Sequence, residues 1–457
     1  MAIADVAALK LGKFLQIVFS EGVRSQVSAD YRAWTDISSQ RVGEADGREL
    51  RFVFQTSLGP SAVQNRIPGA PGAFPTAQQS SVSENIATFK EIEATVEIEY
   101  NLWQRAQKSP SKYAEPLAME ISSKAIASKR QLAIQLFGDG TGVVATCASV
   151  SDTNIAAGNI AVTLSAATAA RGFIGMLEFD DLLLVKATNA AAVSPSGGSG
   201  ANFAAYRVKD KNSATNVVTL ELVDSSGNLT LNYAASNVVS TNVIYRVGQQ
   251  SFVDLTGAIA DYGTISPVMA GLESLSASDG RVVHGITMSG ATAGSRKDAG
   301  AAALDAELLR KMMDDVKRKV GRGTYRWNRI IGAPEAIGVF IDSRETDRRF
   351  NSIDDAARGC KKFVYQHGED TMELLEDEFC PVQRLYTLPV AKSGDGKVLE
   401  LHMSDFEAVK ALGGSEFMLK TSSSGYENKI QSFMFACYTL ICKHPAAVGV
   451  LHNFAAP

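Results

Sequence analysis

The sequence predicts an α+β protein with a small all-β domain inserted near its middle, and three stretches predict it. Residues 90–102, "KEIEATVEIEYNL", alternate: Ile92, Ala94, Val96, Ile98, Tyr100 and Leu102 point one way, while Glu91, Glu93, Glu97 and Glu99 point the other. That is the period of a strand with one solvated face. From about 111 to 137 the composition shifts to Ala, Leu, Glu, Lys, Gln and Ile, with Leu117, Ile121, Ala125, Leu132 and Leu136 at helical spacing. Residues 143–250 then hold short runs rich in Val, Ala and Thr, separated by turn-forming clusters. Short strands at that spacing predict a barrel or a sandwich.

Each element has its own signals. "RELRFVFQ" (48–55) alternates with Leu50, Phe52 and Phe54 on one face, and is expected to pair as a hairpin with the 90–102 strand. The connection between them, about 57–88, contains "PGAPGAFPTAQQSS" and reads as a long loop. Pro116 fits only the first turn of the long helix, so its regular part is expected from about Tyr113–Ala114, as a rod roughly 35 Å long. In the central region the strand-like runs are "NIAVTLS", "LEFDDLLLVKAT", "FAAYRVKD", "NVVTLELVD", "NLTLNYA" and "NVIYRVG". "SPSGGSGAN" and "DSSGN" supply turns between them. A helix is expected over 302–320, with Leu304, Leu308, Met312, Val316 and Val320 as its stripe and Gly321 as its stop. "RWNRIIGAPEAIGVFI" reads as strand, turn and short helix, and "KVLELHMS" as a strand. Ser404 and Glu407 have capping-box spacing for a further short helix. "IQSFMFACYTLICKHPAAVGVL" opens as a buried strand that Pro445 ends.

Composition narrows the function. The chain has 457 residues, 45% apolar and 21% charged, enough for more than one core. Lys plus Arg is 45 against 49 Asp plus Glu, a net charge of −4, which is not the footprint of a dedicated nucleic-acid binder. The opening residues lack the pattern of a signal peptide, and no run of 18 apolar residues predicts a membrane span. Five scattered cysteines without a CxxC, and five dispersed histidines without an HExxH, announce neither a disulfide framework nor a zinc site. No cofactor is expected.

The one motif that suggests chemistry is "LFGDGTG" (136–142). A phosphate loop needs GxxxxGK[ST], and a dinucleotide fingerprint needs GxGxxG between a strand and the start of a helix. Here the glycines follow a helix, whose C-terminus offers carbonyls that repel anions. Gly138, with Gly140 after it, is instead expected to cap that helix in a left-handed conformation. The acidic run "HGEDTMELLEDEF" (367–379) offers Glu369, Asp370, Glu373, Glu376, Asp377 and Glu378, but its spacing fits no metal loop. It is expected to be a solvated face or one side of an intersubunit contact. The basic cluster Arg310, Lys311, Lys317, Arg318, Lys319, Arg322, Arg326 and Arg329 is read the same way. No GxSxG is present, and no enzyme is expected.

The order of these features is what carries a resemblance. An N-terminal arm leads to a strand and a Gly/Pro-rich loop; "FKEIEATVEIEYNLWQRA" returns from it; a long helix ends in "LAIQLFGDGTG". This resembles the major capsid proteins of tailed bacteriophages, with the Hong Kong 97-type fold, over roughly 1–142 and 251–457. The resemblance implies an N-terminal arm (1–45), an E-loop hairpin (46–100), a spine helix starting the peripheral domain (101–142), an inserted β domain (143–250), more peripheral domain (251–325), an axial domain (326–425) and a returning C-terminal strand (426–457). It implies a virion protein, assembled in the host cytoplasm as hexamers and pentamers of an icosahedral head around double-stranded DNA. Portal, scaffolding and decoration proteins are the implied partners, with only non-specific DNA contact and no membrane. Candidate intersubunit residues are Pro68, Gly69, Pro71, Gly72 and Phe74 in the E-loop, Glu93 and Glu97 on the strand, and Arg318 and Arg322. Some members of the family crosslink an E-loop lysine to a neighbour. No lysine lies between Lys13 and Lys90 here, so a non-crosslinked shell is expected. The alternatives are an encapsulin-like compartment of the same fold, a metal-dependent enzyme using 369–378, and a tail or adhesion protein.

Overall fold

The computed structural model describes residues 32–39, 48–57, 81–100, 116–165, 177–186, 203–212, 215–224, 229–230, 233, 235–240, 242–246, 261, 268–321, 325–343, 364–391, 398–404, 407–408, 418–422 and 425–455. Most of the arm, the loop 58–80 with Pro68, Gly69, Pro71, Gly72 and Phe74, and Arg322 lie outside these residues. The first described element is α1 (Arg32–Ser39), whose Ala33, Trp34 and Ile37 are buried.

β1 (Glu49–Ser57) pairs antiparallel with β2 (Ser81–Thr88), in a two-stranded sheet of their own. The expected pairing of 48–55 with 90–102 is therefore wrong, and the long connection is shorter by the whole of β2. "SVSENIAT" escaped notice because its only large apolar residues, Val82 and Ile86, give too weak an alternation for a strand to be read. β3 (Lys90–Glu99) pairs instead along β20 (Gly425–Cys442), from Lys90↔Tyr438 to Glu99↔Lys429. Its alternation holds: Ile92 and Val96 are buried and Glu91 and Glu93 exposed. The 18-residue β20 also pairs with β17 (Leu399–Met403), β18 (Glu407–Ala408) and β19 (Met418–Ser422), making it the axis of a five-stranded sheet. The capping box does not form a helix. Ser404 Oγ accepts from the Cys437 N–H at 2.8 Å, and Glu407 lies in β18, because pairing with β20 satisfies more backbone than one isolated helical turn.

The long helix α2 (Pro116–Leu136), described from its proline on, packs on β3 and buries Leu132, Ala133, Leu136 and Phe137 at its end. The chain then enters a closed barrel of β4 (Val143–Ser151), β5 (Asn159–Leu164), β6 (Leu182–Lys186), β7 (Phe203–Asn212), β8 (Val217–Asp224) and β9 (Val243–Arg246), in the order β4-β5-β8-β7-β6-β9. Alternate residues fill its interior: Ile160, Val162 and Leu164 from β5, and Val218, Leu220 and Leu222 from β8. The first and last strands pair, Val143 opposite Tyr245, so the chain enters and leaves at one place. Of "NLTLNYA" only residues 229, 230 and 233 are described, and among them there is a single bridge, Val223↔Leu229.

Past the barrel come α3 (Leu272–Leu275), the β10–β11 pair (Val282–Val283 and Ile286–Thr287) and β12 (Ser295–Asp298). Next is α4 (Ala306–Val320), capped by Asp305, whose carboxylate accepts from the Leu308 N–H at 2.8 Å. Its buried face is Ala306, Leu309, Met312, Met313 and Val316 rather than the strict four-residue stripe. Steps of four drift about 40° around a helix, so Leu308 and Val320 end up at the flanks. β13 (Tyr325–Gly332) and α5 (Pro334–Asp342) follow as expected. A six-stranded sheet then runs β12-β21-β16-β13-β15-β14, adding β14 (Val364–His367), β15 (Asp370–Glu376), β16 (Arg384–Ala391) and β21 (Gly449–His452).

Candidate functional site

The residues that first suggested chemistry build a junction. At the end of α2 the Gly138 N–H turns back to the Gln135 carbonyl at 2.7 Å, a tightened last turn. A Cβ on Gly138 would strike that carbonyl oxygen, so glycine is needed for space. Gly138 is not left-handed, contrary to the expectation; the positive φ values fall on Gly140 (78°) and Gly142 (77°). Between them Asp139 folds its carboxylate onto Thr141, accepting from the backbone N–H at 2.9 Å and the hydroxyl at 2.5 Å. A carboxylate in the turn and a helix C-terminus above it both disfavour an anion.

The turn is seated against the segment that follows the barrel. Ser274 Oγ donates to the Asp139 carbonyl at 2.5 Å. A Cβ on Gly271 would overlap the carbonyl oxygens of Gln135 and Leu136. The Gln135 side chain accepts from the Tyr438 hydroxyl at 2.8 Å, tying the helix end to β20. One residue before Ser274, buried Glu273 accepts from Arg296 of β12 at 2.7 Å, from the Tyr386 hydroxyl of β16 at 3.0 Å, and from Arg384. Burial, with Glu273 beside it, holds the Tyr386 hydroxyl well above its usual range. A single carboxylate thus joins α3, on which the turn is seated, to the six-stranded sheet.

Of two further ion pairs beside α2, Arg130–Glu178 docks the barrel on the helix and Arg246–Asp181 lies within the barrel. Arg130, lying over the Phe379 ring with 5.3 Å to the centroid, pairs with Glu178, and Arg246 sets Nε and Nη2 on Asp181 Oδ2 at 3.1 and 2.8 Å. A cleft of about 300 Å³ lies here, lined by Ile126, Arg130, Gln131, Glu178, Phe179 and Arg246.

The acidic run is not a solvated face throughout. Asp370 is buried on Lys317 Nζ at 2.5 Å, and Asp377 accepts from the Ala33 N–H at 3.0 Å and the Phe379 N–H at 2.9 Å, so it anchors α1. Glu373 shares Arg329 with Asp36, at 3.2 and 3.4 Å. The spacing gave no hint of this, because the partners are distant in sequence. The basic helix is likewise compensated within the chain: Arg310 by Asp314, Lys311 by Glu307 and exposed Arg318 by Asp315 at 3.8 Å. Glu97 meets Lys429 at 2.6 Å on the neighbouring strand, while Glu93 is exposed. Among the described residues no three His, Cys, Asp or Glu are grouped to hold a metal. Burial raises the Cys147 and Cys442 thiols to about 12, leaving them protonated and unreactive at neutral pH.

No family model matches the sequence, and no curated protein does. Solved structures do match. A chain of the cyanophage A-1(L) capsid asymmetric unit covers 96% of this chain and 98% of its own length, with a TM-score of 0.53 at 8% identity. A chain of the native GTA particle capsid covers 97% of both at 10% identity, with a TM-score of 0.45. The holo-SrpI encapsulin complex from Synechococcus elongatus PCC 7942 gives 97% and 95% coverage at 8% identity, with a TM-score of 0.38. The latter two are too distant in shape to bear on the argument. At 8% identity the first match is one of fold over nearly the whole length of both chains: this chain has the fold of a phage capsid protein.

Proposed function

We propose that the chain is a major capsid protein of the Hong Kong 97 type, building an icosahedral phage head from hexamers and pentamers around double-stranded DNA. The observation that carries this reading is the two-way, near-complete match to a phage capsid chain, which a shared subdomain would not give. The β1–β2 hairpin supports it. A two-stranded sheet alone is marginal in water, and its outer face carries Val53 and Val82, 65% and 57% exposed, around the Arg51–Glu84 pair. In this reading that face and the loop residues Pro68, Gly69, Pro71, Gly72 and Phe74 lie on a neighbouring subunit. Glu93, Arg318 and Arg322 are further candidate contacts, whereas Glu97 already has its partner within the chain. The barrel is an insertion between peripheral-domain segments, consistent with its adjacent ends. The net charge of −4 suits an inner wall that must not grip DNA. Portal, scaffolding and decoration proteins would be its partners.

The contents of purified particles test the reading. Nuclease-treated particles from phage-producing cells should yield protected double-stranded DNA. Particles holding a protein cargo and no DNA would replace the reading with a cellular compartment.

A further inference from the structure

The turn joining β10 to β11 is His284–Gly285, with φ of 54° and 80°. Two left-handed residues between paired Val283 and Ile286 make a type I′ turn, where Asn, Asp or Gly usually takes the first place. Positive φ is uncommon for a residue other than glycine, and histidine is among the types that adopt it most readily. The residue is 2% exposed. Nε2 lies 3.1 Å from the Leu440 carbonyl of β20 and so carries the proton, while Nδ1 is buried with no partner among the described residues. The ring meets Phe52 of β1 edge-on, with centroids 6.4 Å apart. Asn85 of β2, opposite Phe52 in the hairpin register, is buried as well. This is where the root of the β1–β2 hairpin sits on the body. The charged groups around it, among the described residues, are buried Lys90 of β3 and Asp261, whose carboxylate accepts from the Gly285 N–H at 2.9 Å. β1, β2 and β20 present the uncharged Phe52, Asn85 and the Leu440 carbonyl.

We propose that His284 is a proton-operated latch, which holds the hairpin root against the body while neutral and releases it when Nδ1 gains a proton. The inference concerns the subunit itself and goes beyond its assembly. A proton on Nδ1 would be a buried donor without an acceptor, on a ring beside the Lys90 ammonium, and both penalties vanish when the ring reaches water. Removing the ring parts it from Phe52 and opens the root. Burial, with Lys90 adding to it against the upward pull of the Leu440 carbonyl, lowers the imidazole to about 4. A released imidazole titrates near 6.5. Because the value is depressed in the docked state, docking is at full strength above about 6.5 and weakens as the pH falls toward 4. At pH 4 the opening constant is higher by about two orders of magnitude.

Hydrogen exchange on the full chain from pH 7.5 to 4, corrected for intrinsic rates, tests this. Protection in 49–57 and 81–88 should fall about 100-fold, while barrel strands 159–164 and 217–224 hold theirs. His284→Asn, which suits the left-handed turn and takes no proton, should flatten the hairpin profile. Asp261→Asn should keep the slope; loss of the slope there would assign the proton to Asp261 and overturn the latch. Hairpin protection independent of pH, a slope retained in His284→Asn, or hairpin and barrel failing together would also overturn it. Wild-type chain labelled at histidine gives a measurement that needs no variant. One imidazole should stay neutral by NMR down to about pH 4, and titration of every imidazole between 6 and 7 would contradict the proposal.

Discussion

Glu273 and Gly271 hold the junction at the scale of single residues. Replacing Glu273 with Gln leaves Arg296 and Arg384 facing each other without their counter-charge. We expect a loss of about 3 kcal/mol in urea unfolding, in the range for breaking a buried ion pair by removing one partner. Gly271→Ala forces a methyl group into the carbonyls of Gln135 and Leu136 and should cost about 1–3 kcal/mol by the same measurement. Neither residue stood out in the sequence, because Arg384 and Tyr386 lie more than a hundred positions from Glu273, and Gln135 and Leu136 more than a hundred from Gly271. "LFGDGTG" was readable as a helix end from local order alone. Which glycine is left-handed was not, since Gly138 is dictated by the tightening of the last turn and Gly140 by Asp139 folding onto Thr141.

Elements with a strong period were legible, and those completed by distant partners were not. The 90–99 strand, the long helix, α4 and β20 all follow from periodicity or from an unbroken apolar run. β2 and β18 do not, because a strand exists through the neighbour it pairs with as much as through its own pattern. Ser404 shows the competition plainly: its capping-box spacing is real, yet its hydroxyl serves the Cys437 N–H. Ser404→Ala should lower stability by about 1 kcal/mol, the usual worth of such a bond, and circular dichroism should show no loss of helix. A larger loss of helical signal would mean the helix exists after all. The barrel makes a stronger prediction. Its interior is closed and its ends pair, Val143 with Tyr245, so residues 143–246 expressed alone should unfold in one cooperative transition. A dispersed amide spectrum is the expected result, and a collapsed one would show that docking on α2 through Arg130 is required for folding.

At the scale of the whole molecule the chain has one fold and several faces left for company. The hairpin shows apolar side chains on a sheet too small to stand alone, while the acidic and basic runs are largely settled within the chain. Contacts between subunits should therefore come chiefly from the hairpin and its loop. Val53→Lys with Val82→Lys should leave monomer stability within about 0.5 kcal/mol, as exposed substitutions do, and block association; normal association would move the interface elsewhere. The central claim, that many copies close into a shell, is tested most directly by electron microscopy of the assembled protein. The account predicts hollow icosahedral particles of megadalton mass, built from hexamers and pentamers of this chain. A clean monomer under every assembly condition, with or without a scaffolding partner, would contradict it.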